Sequence, residues 1–382
     1  MYDAVVVGGG VVGSSVAYHL ARDGANPLLV DREDDGRATD AGAGILSPAT
    51  SSRTGSDPWF AFAVTAVEYY PDLVARLRDE QDGDTGYDRC GLLSVAIDDA
   101  EVETFDRAMG RIETRQQELG RPEPGTFAEV SPRDASDRFP ALANVERAAY
   151  YDEAARVDGR LLTDALRRAG RAHGLDVKEA TAEELRVERG GVEAVVTDEG
   201  TVETEAAVVA GGAWSSEFAD QLGVEIPVEP QRGQIAHLDR HGASSQVADT
   251  ADWPIVSAFR GHYLVPWPGG RVAAGATRET GSGFDPRPTA GGVREVLDEA
   301  LRVAPGLANA ELAEVRVGLR PLSEDELPVL GRVPEIDGAY LATGHGPTGL
   351  QLGPYSGKVV AAMVQGAEPE TDVSAFAVGR FS

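Results

Sequence analysis

The chain opens on an apolar run, Ala4 to Val7, which reads as a buried strand. Gly8-Gly9-Gly10-Val11-Val12-Gly13 follows at once, and Val16, Ala17 and Leu20 then recur at helical spacing. Gly24 stands where a helix stop belongs, and Pro27 to Val30 is a second apolar strand that ends in Asp31. Strand, glycine-rich turn, helix, strand and acid in this order predict a βαβ unit that binds a dinucleotide. Gly8 serves the tight turn, Gly10 the approach of a pyrophosphate, and Gly13 the close packing of helix on strand. The helix N-terminus offers N–H groups to the phosphates, and Asp31 can accept from ribose hydroxyls. This motif alone does not separate FAD from NAD.

The pattern then alternates between loops, helices and strands. Arg37 to Pro48 is a loop of small residues, suited to lying against something flat. Residues 57–80 are helical, with Pro71 early in a second segment. Gly91 to Ile97 predicts a strand, Glu101 to Leu119 an exposed helix, and Ser131 to Pro140 a short helix and turn. From Ala154 a new block begins, with a helix through Leu161, Leu162, Ala165 and Leu166. Short strands follow around Val177, Leu185 to Val187, Val192 to Val196 and Val202, punctuated by turns at Gly190-Gly191 and Asp198-Glu199-Gly200. Ala206 to Ala210 is a buried strand that runs into Gly211-Gly212-Ala213-Trp214-Ser215, where Trp214, like Asp158 earlier, reads as structural. A strand-rich block covers Gly233 to Leu238, His262 to Pro266, Arg271 to Thr277 and Glu311 to Leu319, with a helix from Ala290 to Val303. Last come a strand, Ala339 to Thr343, a second glycine-rich turn from Gly344 to Gly353, and a closing helix to about Val364. Two glycine-rich helix starts at opposite ends of one chain suggest one long cofactor held by both, and FAD has that shape.

Composition narrows the picture. With 382 residues the chain has room for two domains, and its 42% hydrophobic content is that of a globular protein. The formal net charge is −28, spread along the whole chain, and Lys178 and Lys358 are the only lysines. Such a surface resembles proteins that work at high internal salt, where screening shortens the reach of self-repulsion. It argues against nucleic acid or anionic lipid as a partner. Cys90 is the only cysteine, so neither an internal disulfide nor a cysteine metal site is expected, and no metal is assigned. No apolar run reaches the length of a membrane span and no signal-peptide pattern is present, so a cytoplasmic location is expected.

These motifs in order resemble the FAD-dependent D-amino-acid oxidase family, in its glycine oxidase and D-amino-acid dehydrogenase branch, almost end to end. Beyond the first βαβ unit the resemblance rests on Ala41 to Leu46, Val157-Asp158, Gly211 to Ser215, Arg232-Gly233-Gln234, Tyr263 to Pro266, Gly275-Ala276-Thr277, Gly318 to Pro321, Pro328 to Gly331 and Gly344-His345-Gly346. It implies an α/β fold, a Rossmann-like FAD domain plus a mixed-sheet substrate domain. The FAD domain is expected over 1–86, 148–228 and 318–382, and the substrate domain over 87–147 and 229–317. It implies cofactor contacts at Gly8, Gly10, Val11, Val12, Gly13, Asp31 and Arg32 for the adenosine end, and at Ala38, Thr39, Ala43, Gly44 and Ile45 in the flavin-side loop. Glu183 matches a position that offers its backbone to adenine, and His345, Gly346, Pro347, Thr348, Gly349 and Leu350 match the flavin-binding turn. Arg320 matches the arginine that clamps the substrate carboxylate, and Tyr263 a tyrosine at the substrate site. The glycine oxidase turn carries an arginine and an asparagine where this chain has Pro347 and Thr348, so a larger D-amino acid or a secondary amine is as compatible as glycine.

The implied reaction is oxidation of a small amino acid (D-amino acid, glycine or N-methyl amine) to the imine by hydride transfer to flavin, then hydrolysis to the 2-oxo acid. Oxygen or a quinone or other electron carrier would take the electrons, and a homo-oligomer is compatible. Two other readings stay open on the residues alone: an NAD-dependent dehydrogenase, and a non-catalytic FAD-bearing subunit of a larger complex.

Overall fold

A computed structural model describes residues 1–55, 57–240 and 249–381. Two sheets organise it. The first has six strands in the order Val329–Arg332, Ala339–Thr343, Ala207–Val209, Ala4–Val7, Pro27–Asp31 and Asp176–Glu179. All neighbours are parallel except the Val329–Arg332 edge, which runs antiparallel to Ala339–Thr343. Alternate residues of the central strand face opposite layers, as period-two geometry requires. Ala4 and Val6 pack under the Val11–Arg22, Gly159–Ala172 and Gly349–Val364 helices. Val5 and Val7 pack instead against the three-stranded meander Ala182–Glu188, Gly191–Thr197 and Gly200–Glu203. The glycine turns expected at 190–191 and 198–200 are the hairpins of that meander.

The second sheet has nine strands. Seven follow one another from Val228–Asp239 through Arg271–Gly275, Tyr263–Trp267, Ile255–Ala258, Leu92–Ala96 and Arg147–Tyr151 to Phe127–Val130; Glu279–Thr280 lies beyond the first of them, and Glu311–Ser323 also pairs with it. One face carries Leu93, Val95, Val256, Leu264 and Val272 and is covered by Val296, Ala300 and Val303 of the Ala290–Val303 helix. The other face carries Leu92, Ile255, Val265 and Ala273 and meets Ala43, Ile45 and Ala49 of the small-residue loop. The expected domain borders at 147/148 and 317/318 fall inside strands of this sheet, because Arg147–Tyr151 pairs with Leu92–Ala96 and Glu311–Ser323 is one continuous strand.

The helix expected at 101–119 spans Asp99–Leu119 and is not simply exposed. Phe105, Ala108, Met109 and Ile112 are buried, and so is Arg115, whose guanidinium lies over Phe60 and donates to the carbonyls of Ala49, Ser51 and Arg53. The helical stretch at 57–80 is two helices, Pro58–Glu68 and Tyr70–Glu80, with Pro71 in the first turn of the second. No helix among the described residues is long and apolar enough to cross a membrane.

Candidate active site

A cleft of about 1440 Å³, counted to its open mouth, runs from the first glycine turn to the last and ends between the two sheets. Gly8, with φ +102°, turns the chain out of the Ala4–Val7 strand. The Val11–Arg22 helix begins at once, and the Val11 N–H donates to Thr39 Oγ1 at 3.1 Å, which ties the small-residue loop to the helix start. Gly13 lies outside the cleft lining; a Cβ there would stand 1.9 Å from the Gly8 carbonyl oxygen, so its glycine serves the approach of helix to turn.

At the end of the cleft where adenosine is expected, Asp31 is almost wholly buried. Its Oδ2 accepts from Arg37 Nη1 at 2.8 Å and from Arg167 Nη2 at 2.7 Å, while Oδ1 keeps one long bond, 3.4 Å, from the Glu33 N–H. The expected ribose acceptor thus carries two guanidinium partners that the motif does not announce. Arg167 comes from the Gly159–Ala172 helix, 136 residues away, and also donates to the Gly9 carbonyl at 2.6 Å. Arg32 pairs with Asp34 and lies over the Trp214 ring at 5.4 Å. Trp214 lines the cleft and stacks on Phe284 at 5.4 Å, so it belongs to the site rather than only to the scaffold. Asp158 is structural as expected: it caps the Gly159–Ala172 helix by accepting from the N–H groups of Arg160 and Leu161.

Glu183, expected to offer its backbone to adenine, does not line the cleft. It is exposed and outside the cleft, and its carbonyl is taken by Gln221 Nε2 at 3.3 Å. Ala180 and Ala182, just after the Asp176–Glu179 strand, line the cleft there.

At the other end, Ala38, Thr39, Ala43, Gly44 and Ile45 line one wall, and His345, Gly346, Pro347, Gly349 and Leu350 line the turn before the Gly349–Val364 helix. Thr348 does not line it; its hydroxyl donates to the His345 carbonyl at 2.8 Å and accepts from Trp59 Nε1 at 3.4 Å. The His345 ring points into the protein, where Nε2 meets Ser356 Oγ at 3.0 Å, and burial pushes its pKa down to about 4. Gln351 is a lining residue the sequence reading passed over. Its Oε1 accepts from the Ser47 N–H at 3.0 Å, which fixes the amide, and leaves Nε2 as a buried donor without a protein partner. A buried orphan donor calls for an acceptor, and the ring carbonyls and nitrogens of a flavin are acceptors. With the Gly8–Gly10 cradle at the far end, the residues present fit FAD.

The end of the cleft where a substrate is expected is built by strand register. Arg320 stands opposite Gln231, and its guanidinium lies flat over Gly233, where a Cβ would be 2.5 Å from Cζ. Tyr263 stands opposite Gly275, where a Cβ would be 2.7 Å from the phenol oxygen. A missing side chain on each intervening strand lets one large polar group lie across it. Gly233 and Gly275 were visible in the motifs but not their purpose. Arg320 Nη1 donates to the Thr277 carbonyl at 2.9 Å and weakly to Gln231 Oε1 at 3.4 Å. It has no ion-pair partner among the described residues; Glu279, the carboxylate that acts on it at longer range, is taken up by Arg232, Gln234 and Thr277. Burial lowers the Arg320 pKa and raises that of Tyr263, and the two groups oppose each other's shifts. An arginine so placed stays charged.

Comparison with known proteins agrees with this geometry. Residues 3–363 match the DAO family, FAD dependent oxidoreductase. The chain is 38% identical over 377 residues to the uncharacterized oxidoreductase YurR of Bacillus subtilis (strain 168), covering 98% of each. It is 31% identical to the glycine oxidase of Geobacillus kaustophilus (strain HTA426), covering 99% of this chain and 97% of that one. Among solved structures it resembles iminodiacetate oxidase (IdaA) from Chelativorans sp. BNC1, with TM-score 0.91, 36% identity and 98% of each chain covered.

Proposed function

The chain belongs to the family of FAD-dependent oxidoreductases, of the glycine oxidase and amino-acid oxidase type, and from that premise we propose that it oxidises the Cα–N bond of a small amino acid held by Arg320. The NAD-dependent alternative gives way. Bound along the cleft, FAD supplies the two-electron acceptor for this oxidation. In this reading Gly8, Gly10, Val11, Val12 and Thr39 hold the pyrophosphate, Asp31 and Arg32 the adenosine end, and Ala43, Gly44, Ile45, the 345–350 turn and Gln351 the flavin.

The observation that carries the reading is Arg320: a partly buried guanidinium without a counter-ion among the described residues, facing the cleft beside Tyr263. A planar fork of donors in a half-dry site is suited to a carboxylate. Among the described residues the Arg320 end of the cleft offers no side-chain base. His345 is neutral and turned away, and the Tyr263 phenol is raised by burial. The amine therefore enters neutral or gives its proton to water, and the imine product hydrolyses in water to the 2-oxo acid. Pro347 brings no charge to the flavin turn, so in this reading secondary amines such as N-substituted glycines are as compatible as glycine.

The test is anaerobic bleaching of the flavin by a panel of glycine, D- and L-alanine, L-proline and sarcosine, in the intact chain and in Arg320→Ala. A charge-assisted bidentate pair in a partly dry site is worth roughly 2–5 kcal/mol. Arg320→Ala should lower the efficiency of flavin reduction by about 30-fold to several thousand-fold while FAD stays bound, and Arg320→Lys should recover only part. Near-normal reduction by Arg320→Ala would mean that the carboxylate is held elsewhere or that the substrate has none.

A further inference from the structure

We propose that Arg167, which does not itself line the cleft, is a positioning residue for the adenosine end of the cofactor. It fixes the Asp31 carboxylate so that Oδ1 is the oxygen offered to the ribose, and it supplies charge that lets a pyrophosphate lie at the neighbouring turn. This rests on the reading of Asp31 given above.

One guanidinium from the Gly159–Ala172 helix reaches three separate pieces of the expected dinucleotide site. Nη2 donates to the Gly9 carbonyl of the turn at 2.6 Å and to Asp31 Oδ2, at the end of the second strand, at 2.7 Å. Nε donates to Ser14 Oγ of the first helix at 3.2 Å, and that hydroxyl donates to the same Gly9 carbonyl at 3.0 Å. Ser14 is fully buried, and the side chains of Arg167 and Asp31 are only 12% and 9% exposed, so water has little room to replace any partner. Gly9 fits the same arrangement from the other side. It is not in the left-handed region, and the G-x-G-x-x-G fingerprint leaves its position free. A Cβ there would nevertheless collide with both Arg167 Nη2 and Asp31 Oδ2. This glycine makes room for the ion pair rather than for the turn.

The helix does not depend on Arg167 for its docking, because Leu162, Ala165, Leu166 and Ala169 already bury its apolar face in the core. What Arg167 adds is orientation and charge. With Oδ2 held by Arg167 and Arg37, Asp31 can turn only Oδ1, which keeps one bond of 3.4 Å, toward a ribose hydroxyl. The same pairing offsets a carboxylate charge that would repel the pyrophosphate expected at the glycine turn. Arg37 does not do this alone, since Asp40 takes its Nε and Nη2.

The experiment follows FAD retention in diluted holoenzyme by the return of flavin fluorescence. It compares wild type with Arg167→Ala, Arg167→Gln, Arg167→Lys and Arg168→Ala. Arg168 is the next residue of the helix; it is exposed and donates to Gln81. Loss of hydrogen bonds to a charged group should raise the Kd for FAD about tenfold to a hundredfold in Arg167→Ala. Arg167→Lys, which keeps the charge without the planar fork, should recover part of this, and Arg168→Ala should match wild type. A second readout separates positioning from packing. ADP should displace FAD from wild type at lower concentration than 2′,3′-dideoxy-ADP, which lacks the ribose hydroxyls, and Arg167→Ala should shrink that ratio. A general loosening would weaken both nucleotides alike and leave the ratio intact. If Arg167→Ala does not fold, Arg167→Gln and Arg167→Lys carry the same two comparisons. An unchanged Kd for FAD, or an unchanged ratio, overturns the proposal. If wild type distinguishes the two nucleotides and the variants do so equally, this inference alone fails; if wild type does not distinguish them, the reading of Asp31 fails with it.

Discussion

Single residues in this protein act through what burial does to their charge. His19 and His345 are enclosed in the helical layer and His237 in the large sheet, and burial pushes each pKa down to about 4. His19 is fully occupied as a neutral ring, with Nδ1 on the Ser15 carbonyl and Nε2 on the Tyr69 hydroxyl, both at 2.7 Å. In the unfolded chain these rings titrate near 6.5. Between about 6.5 and 4 the unfolded state therefore binds more protons, so stability is complete above that window and is lost as pH falls through it. Each such histidine adds up to about 1.4 kcal/mol per pH unit to the slope. Unfolding free energies of wild type and His19→Gln from pH 7.5 to 4.5 check this: the variant should be less stable at neutral pH but lose stability less steeply in acid. Parallel curves would mean that His19 is protonated inside the fold. The same logic separates legible from illegible residues. Arg320 and Tyr263 stand out in their motifs, but the partners of Asp31 do not, since Arg167 looks like any solvated helix arginine until the helix is laid on the sheet.

At the scale of elements, the Gly349–Val364 helix shows how the site is held. It contains Pro354, which has no N–H to give the Leu350 carbonyl four residues back. The Tyr70 hydroxyl, from the Tyr70–Glu80 helix, donates to that carbonyl instead, and Ser15 Oγ donates to the Pro354 carbonyl at 2.8 Å. Side chains from two other helices thus complete the backbone of the helix that follows the last glycine turn. Tyr70→Phe should orphan a buried carbonyl and cost about 1–3 kcal/mol, read as a drop in denaturant midpoint at unchanged slope. A cost below about 0.5 kcal/mol would show that water replaces the phenol. None of this is visible in sequence, which shows the proline and a helical tyrosine but not their meeting. The βαβ unit and the final glycine turn are legible because their periodicity and glycines are local. Four strands of the large sheet are not: Phe127–Val130 is a half-exposed edge, Arg147–Tyr151 is alanine-rich, Ile255–Ala258 is four residues long and Glu279–Thr280 only two.

For the molecule as a whole the governing quantity is its charge. Its 63 acidic residues face 35 lysines and arginines, a net charge of −28. Salt weakens two opposing terms. Ion pairs such as Arg147 with Glu129 and Arg107 with Glu103 lose attraction, but they are exposed, and pairs of that kind are worth about 0–1 kcal/mol each. The excess of acid over base loses repulsion over the whole surface, and that sum grows with every pair of like charges. Repulsion should win, so the melting temperature should rise with KCl. The shape of the rise identifies its cause. The Debye length falls from about 30 Å at 0.01 M to about 8 Å at 0.15 M and about 3 Å at 1 M, so screening acts mostly below a few tenths molar. Exclusion of salt from the protein surface instead continues to grow into the molar range. Thermal melts of the holoenzyme from 0.01 to 2 M KCl should therefore climb steeply at first and then bend over. A flat or falling curve would show that the ion pairs outweigh the excess acid, and a straight climb without a bend would assign the stabilisation to the solvent rather than to the surface charge.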